Sequence, residues 1–130
     1  MSREIKLKAF ARGNIVDVVS IDFINKYITW DDNQYDRCYP PNKCFEIESF
    51  EEITLMQFTG LKDKNGKDIY EGDICKAIYT GSSAMVYKNQ IEWNESEYSF
   101  SFANAPLWTW EQIEVIGNIY EHPELIKQHL

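Results

Sequence analysis

The chain has 130 residues, 13 basic and 21 acidic, for a formal net charge of −8. At roughly 150 residues per domain this is one domain, or at most two very small ones. With 44% apolar and 15% aromatic residues it is not wholly disordered. The longest uncharged stretch, Tyr98–Trp110, has 13 residues and contains Pro106, short of the roughly 20 apolar residues a membrane helix needs.

Strand signals run along most of the chain. Residues 1–8 alternate charged and apolar side chains without a hydrophobic run, so no secretory signal is expected. Glu4–Phe10 reads as a half-buried strand, with Ile5, Leu7 and Ala9 on one side and Lys6 and Lys8 on the other. A turn at Gly13-Asn14 leads to the β-branched run Ile15–Phe23. Asn25-Lys26 turns the chain into a strand at Tyr27–Trp30, so Val18–Trp30 reads as a hairpin. Asp31–Lys43 carries Asp31, Asp32, Asn33, Asp36, Pro40, Pro41 and Asn42 and reads as a loop or insertion. A subdomain boundary, if there is one, falls within residues 31–44; otherwise residues 1–130 form a single domain.

Phe45–Glu52 is ambiguous between a helical turn and a strand, and Ile53–Thr59 reads as a strand. Asn65-Gly66 is the strongest turn signal, since both residues tolerate positive φ. Ile69–Tyr79 follows as a strand, with Gly72-Asp73 marking a bulge or tight bend. After a turn at Gly81-Ser82-Ser83, Met85–Trp93 and Tyr98–Phe102 form a second hairpin. Ala103–Leu107 is a loop around Pro106, and Trp108–Gln112 is strand or turn. Glu114–Tyr120 is a final strand. His122-Pro123 opens a short C-terminal helix, with proline in its first turn and Glu124 favourable to its dipole, and with Leu125, Ile126 and Leu130 on one face. About eight short strands imply a mainly β, barrel-like fold, which gives 4 Trp, 8 Tyr and 7 Phe a place to be buried.

The charge is uneven: residues 1–30 sum to +2 and residues 89–130 to −6. An acidic chain repels the phosphate backbone, which argues against nucleic acid as a partner. The one basic patch is Arg3, Lys6, Lys8 and Arg12, readable as a solvated strand face or as an anion or nucleic-acid contact. The opposite bias of the two ends favours head-to-tail self-association. Cys38, Cys44 and Cys75 are an odd number, expected as free thiols in a reducing compartment. Their spacing, with histidines only at His122 and His129, suits no zinc site.

No catalytic set, cofactor loop or metal site emerges. Neither histidine sits where it pairs with a nucleophile. Gly60, Gly66, Gly72 and Gly117 match no phosphate-binding loop. The acidic pairs Asp31/Asp32, Glu51/Glu52, Glu71/Asp73 and Glu95/Glu97 read as solvated faces or turns, since neighbours in sequence do not converge across a cleft. Asp73 has a structural use after Gly72, because its carboxylate can accept backbone N–H groups in a tight turn. Asn94-Glu95-Ser96 matches a glycosylation sequon that is empty in a non-secreted chain. Trp108 and Trp110, at i and i+2, share a face if the segment is a strand, either as core or as an exposed anchor for a partner.

Three blocks resemble the YopX protein family: residues 3–10, Ile53–Ile74 and Glu114–Ile126. The second contains Gly60-Leu-Lys-Asp-Lys-Asn-Gly-Lys-Asp-Ile-Tyr-Glu-Gly-Asp73, and the third Gly117-Asn118-Ile-Tyr-Glu-His-Pro123. Phe10, Phe58 and Cys75 replace the tryptophan, tyrosine and valine usual in that pattern, all apolar exchanges. The resemblance implies an SH3-type barrel in the motif-bearing part, carriage by phages or prophages, and a bacterial cytoplasm. It brings no catalytic residues, and the family's function is uncharacterised. The matching residues Asn65, Gly66, Tyr70, Glu71, Gly72, Asp73, Gly117 and Asn118 have an evident structural job at turns. The reading that follows is a non-enzymatic module without a cofactor that binds a protein partner or itself. The alternatives are an acidic mimic of DNA, which binds nucleic-acid-processing proteins, and direct nucleic-acid contact through the basic N-terminal strand.

Overall fold

A computed structural model describes residues 4–31, 45–79 and 85–126. Its strands are β1 (Leu7–Ala11), β2 (Asn14–Asp22), β3 (Tyr27–Asp31), β4 (Phe45–Ser49), β5 (Ile53–Lys62), β6 (Asp68–Tyr70), β7 (Asp73–Tyr79), β8 (Val86–Asn94), β9 (Ser99–Phe102), β10 (Ala105–Pro106) and β11 (Trp110–Asn118). They form two antiparallel sheets, ordered β4-β3-β2-β1-β5-β6 and β10-β9-β8-β7-β11. The chain divides into two compact units, Lys6–Met56 and a second of Met1–Ile5 with Gln57–Leu130. The boundary expected within residues 31–44 lies outside the described residues, except for Asp31. Cys38, Cys44 and the Gly81-Ser82-Ser83 turn lie outside them as well. Among the described residues no helix is long and apolar enough to cross a membrane.

Turn chemistry sets the first unit. Arg12 and Gly13 both have positive φ, 51° and 80°, and Ala11 pairs with Asn14. The turn is therefore a two-residue hairpin loop of the type whose twist matches its strands, one residue earlier than Gly13-Asn14. Between β2 and β3 the Asp22 carboxylate accepts the N–H groups of Ile24 and Asn25, and Lys26 closes the loop at a φ of 60°. The hairpin pairs Val18 with Trp30, and a bulge follows at Val19. Phe45–Glu52 takes both of its readings: β4 pairs along β3, then a 3-10 turn occupies Phe50–Glu52. Ala9, Ala11, Ile28 and Met56 are buried in this unit.

The second unit is built on one sharp corner. The apolar run from Ile69 does not stay one strand, because Gly72 takes a φ of 89° and separates β6 from β7. That backbone is open to glycine at little cost. The Gly72 N–H donates to the Ile91 carbonyl, and its own carbonyl accepts the Ile119 N–H, each at 2.9 Å. The Asp73 carboxylate accepts the Tyr70 N–H at 2.8 Å. The freed β7 then pairs with β8 on one side and β11 on the other. Ile69, Cys75, Ala77, Ile91, Phe102, Leu107 and Trp110 form the core beneath it.

Two expectations are corrected. Both strand orders are linear, and among the described residues no ladder joins their end strands, so there is no closed barrel. The edge strand β10 is two residues long and ends at Pro106, which has no N–H to extend a ladder. The C-terminal helix is a single 3-10 turn at Pro123–Leu125, since the Leu125 and Ile126 N–H groups reach back only three residues, to His122 and Pro123. Leu130 and His129 lie outside the described residues.

That turn rests on β11 at Gly117. A Cβ there would come within 2.8 Å of both His122 Nδ1 and Leu125 Cδ1. The imidazole has little room to retreat, because Nδ1 accepts the Asn118 N–H at 3.2 Å. Gly117→Ala is therefore expected to destabilise the protein by about 2 kcal/mol and lower Tm by about 6 °C, as overpacking does. Thermal unfolding followed by circular dichroism measures this.

Candidate interaction surface

The family-like motif residues build scaffold. Asp63, which composition alone does not mark, is buried and organises the loop that carries Asn65 and Gly66. Its Oδ1 accepts the Asn65 and Lys67 N–H groups, both at 2.9 Å. Its Oδ2 accepts the Val115 N–H at 3.0 Å, tying the loop to β11. Burial pushes the Asp63 carboxyl up, and these three donors with the Lys67 charge outweigh it, leaving it below the usual aspartate range. Only Gly66 of the Asn65-Gly66 pair takes positive φ, 83°; Asn65 instead donates its side-chain amide to Glu114 Oε2. The Glu71 N–H donates to the Gln57 carbonyl. Asn118 Oδ1 accepts the Tyr120 and Glu121 N–H groups, so Asn118 shapes the last turn while Gly117 gives it room. Burial also pushes the Cys75 thiol far up, which keeps it from acting as a thiolate.

The basic N-terminal set is largely engaged. Arg3 lies outside the described residues. Lys6 precedes the first strand, Lys8 lies within it, and both have interaction partners. Arg12 donates to Glu48 Oε2 at 2.6 Å and to Glu46 Oε2 at 2.9 Å, and its guanidinium lies 5.7 Å from the Trp30 ring centroid. The two carboxylates raise the Arg12 pKa. These contacts explain Arg12 as a clasp across the sheet to β4, where it meets two acids rather than a phosphate.

Trp108 and Trp110 do not share a face. Leu107–Thr109 is a 3-10 turn, and its period of three puts residues i and i+3 on one side. Leu107 and Trp110 accordingly point into the core, while Trp108 is 77% exposed. Trp110 packs edge-on against Phe102, with ring centroids 4.6 Å apart, and against Tyr87 at 5.2 Å.

The same inner face continues outward along the β8–β9 hairpin. Ile91 pairs with Phe102 in the core, and two residues further on Trp93 pairs with Phe100. These rings meet edge-to-face at 5.1 Å, with Trp93 44% exposed. The hairpin loop is closed by Asn94 Oδ1, which accepts the Ser96 and Glu97 N–H groups. It forces Tyr98 to a φ of 51° and leaves that ring 82% exposed. Ala103 and Asn104, both at positive φ, form a second two-residue hairpin that starts β10. From Pro106, opposite Ser101, the 3-10 turn carries the chain to Trp110, opposite Tyr79, with Trp108 exposed on the way. Sequence reasoning missed the Trp93–Phe100 pair and the exposed Tyr98, because they depend on the β8–β9 register; the visible signal was the aromatic density of residues 93–110.

Asp63→Ala is expected to cost about 3 kcal/mol, since three backbone N–H groups lose a charged acceptor. The unaltered protein should lose this stabilisation only on acidification. It is present above the unfolded aspartate value of about 3.9 and disappears as pH falls through the lower folded value. Urea unfolding between neutral pH and pH ~2 measures both effects.

The family model described as YopX protein matches residues 11–127. Protein EF1440 from Enterococcus faecalis has a similar crystal structure, with a TM-score of 0.60 and 25% sequence identity over 97% of this chain and 100% of that one. Protein yopX from Bacillus subtilis aligns with a TM-score of 0.59 and 14% identity over 96% of this chain and 98% of that one, a likeness of fold. No curated protein matches. With the family match spanning nearly all of the described strands, the chain belongs to the YopX protein family.

Proposed function

We propose that this protein is a phage- or prophage-encoded accessory protein of the bacterial cytoplasm. In this reading it is a non-enzymatic module that binds a protein partner through the aromatic end of its five-stranded sheet. The observation that carries the reading is the pair of rings Trp93 and Tyr98, exposed by 44% and 82% on the β8–β9 hairpin, with Trp108, 77% exposed, on the turn before β11, in a unit whose interior is already filled by Trp110 and Phe102. Exposed tryptophan and tyrosine are costly to leave in water and are the residues most enriched at binding hot spots.

Charge selects the partner class. Glu92, Glu95 and Glu97 lie on the same hairpin. A basic protein surface complements this end of the molecule. The acidic set also supports a second reading, a mimic of DNA charge that occupies a nucleic-acid-processing protein. Direct nucleic-acid contact through the N-terminal strand has less support, because Arg12 is held by Glu46 and Glu48. Self-assembly remains the homotypic form of the same proposal, with the acidic end meeting a basic surface of a second copy.

Affinity capture from the host, followed by titration of the recovered partner, tests this. Trp108→Ala is expected to weaken binding about 30-fold, a hot-spot effect of about 2 kcal/mol, while stability changes by less than about 0.5 kcal/mol. Equal affinity of the Trp108→Ala and Trp93→Ala variants with the unaltered protein refutes the aromatic site. Competition by duplex DNA for the same partner separates the mimic reading from the first. Sedimentation at low and high salt reads self-assembly.

A further inference from the structure

On the outer face of the β7–β8–β11 sheet lies an open pocket of about 200 Å³. Its lining is almost wholly apolar in area, from Ala77, Ile78, Val86 and the stems of Lys64 and Lys76, with Gln112 at the rim. Ile78 and Val86 pair directly across β7–β8, and Val86 is exposed. At one end two ammonium groups converge. Lys76 Nζ stands 3.2 Å and Lys64 Nζ 3.8 Å from the same oxygen, Glu114 Oε1.

Two further features mark this face. Lys76 lies directly opposite Lys88 across β7–β8, both exposed, and facing like charges destabilise a sheet. With Lys64, they outnumber the neighbouring Glu114 and Glu111 by one positive charge, in a chain whose net charge is −8. Gln112 is held at a φ of 54° in a β11 bulge, a backbone state that is strained for a residue with a side chain and that clusters at ligand sites. The bulge turns an extra residue onto the pocket rim.

We infer that this pocket binds a small amphipathic monocarboxylate, with its carboxylate bridging Lys64 and Lys76 and its aliphatic tail over Ile78 and Val86. Glu114 already demonstrates that the two ammonium groups and the Asn65 amide converge on a carboxylate. Lys76 spends one of its three donors here, and Lys64, at 3.8 Å, is in ion-pair range only, so a second carboxylate can be held beside the first. The single surplus positive charge matches a monoanion better than a phosphate dianion. The apolar walls give a tail a place that a bare inorganic ion would leave empty. The site is separate from the aromatic end of the sheet, and its failure would leave the protein-binding proposal standing.

Octanoate is the probe, with octylammonium and inorganic phosphate as controls, followed by amide chemical shifts. Saturable shifts centred on Lys76, Ile78, Val86 and Gln112 with octanoate alone are expected. Lys64→Ala with Lys76→Ala together should weaken binding about fivefold, the scale of exposed charge pairs. Glu114→Gln removes the internal competitor and should tighten it by a similar factor, a gain that misfolding cannot mimic. Val86→Glu, at an exposed position, supplies a tethered carboxylate and should block the probe while the spectrum stays folded. The inference is overturned by shifts that do not saturate into the tens of millimolar, by equal binding of octylammonium or phosphate, or by Glu114→Gln variants that bind no better.

Discussion

The Gly72-Asp73 corner is the constraint on which the second unit depends. One positive-φ glycine lets a continuous apolar run serve two ladders, with β6 against β5 and β7 between β8 and β11. Its backbone N–H and carbonyl are satisfied by Ile91 and Ile119, and Asp73 satisfies the Tyr70 N–H. A buried corner without such partners would strand polar groups in the core. A side chain at Gly72 would strain the backbone, and an apolar residue at Asp73 would orphan the Tyr70 N–H. The tyrosine-glutamate-glycine-aspartate motif is therefore best understood as fold chemistry.

The same device, a short polar side chain that accepts backbone N–H groups just inside a turn, recurs along the chain. Asp22, Asp63, Asn94 and Asn118 each do this. In three of the four loops the strain is taken by a residue at positive φ: Lys26, Gly66 and Tyr98. These local bonds compete well with extended structure only at chain reversals, which is why they punctuate the strands. They also determine what the turns display. The Asn94 loop raises Tyr98 into solvent, and the Asp63 loop brings Lys64 and Asn65 to Glu114.

Aromatic packing divides the molecule's rings into two populations. Tyr87, Phe102 and Trp110 interlock in edge-to-face contacts inside the second unit, the geometry that favours aromatic quadrupoles. Trp93 and Phe100 continue the row past the point where other core residues cover it. The aromatic surface is thus an extension of the core, held by the same hairpin register. The hairpin register holds these rings in place, and in the proposed role this limits the ordering cost of binding.

Sequence alone determined the mainly β class, the Val18–Trp30 hairpin, the Met85–Phe102 hairpin and the structural use of Asp73, since all rest on alternation or on turn residues within a few positions of each other. It also carried the family likeness, because the Gly60–Asp73 and Gly117–Pro123 blocks are local patterns. It left Trp108–Gln112 open between strand and turn, and with it the faces of Trp108 and Trp110, which follow from the period of three in a 3-10 turn. It could not foresee that Arg12 would close on Glu46 and Glu48, or that Lys64 and Lys76 would meet at Glu114. Those pairings join residues 34 to 50 positions apart. Only the registers of paired strands bring such groups together, and a register is decided by the packing of both partners at once.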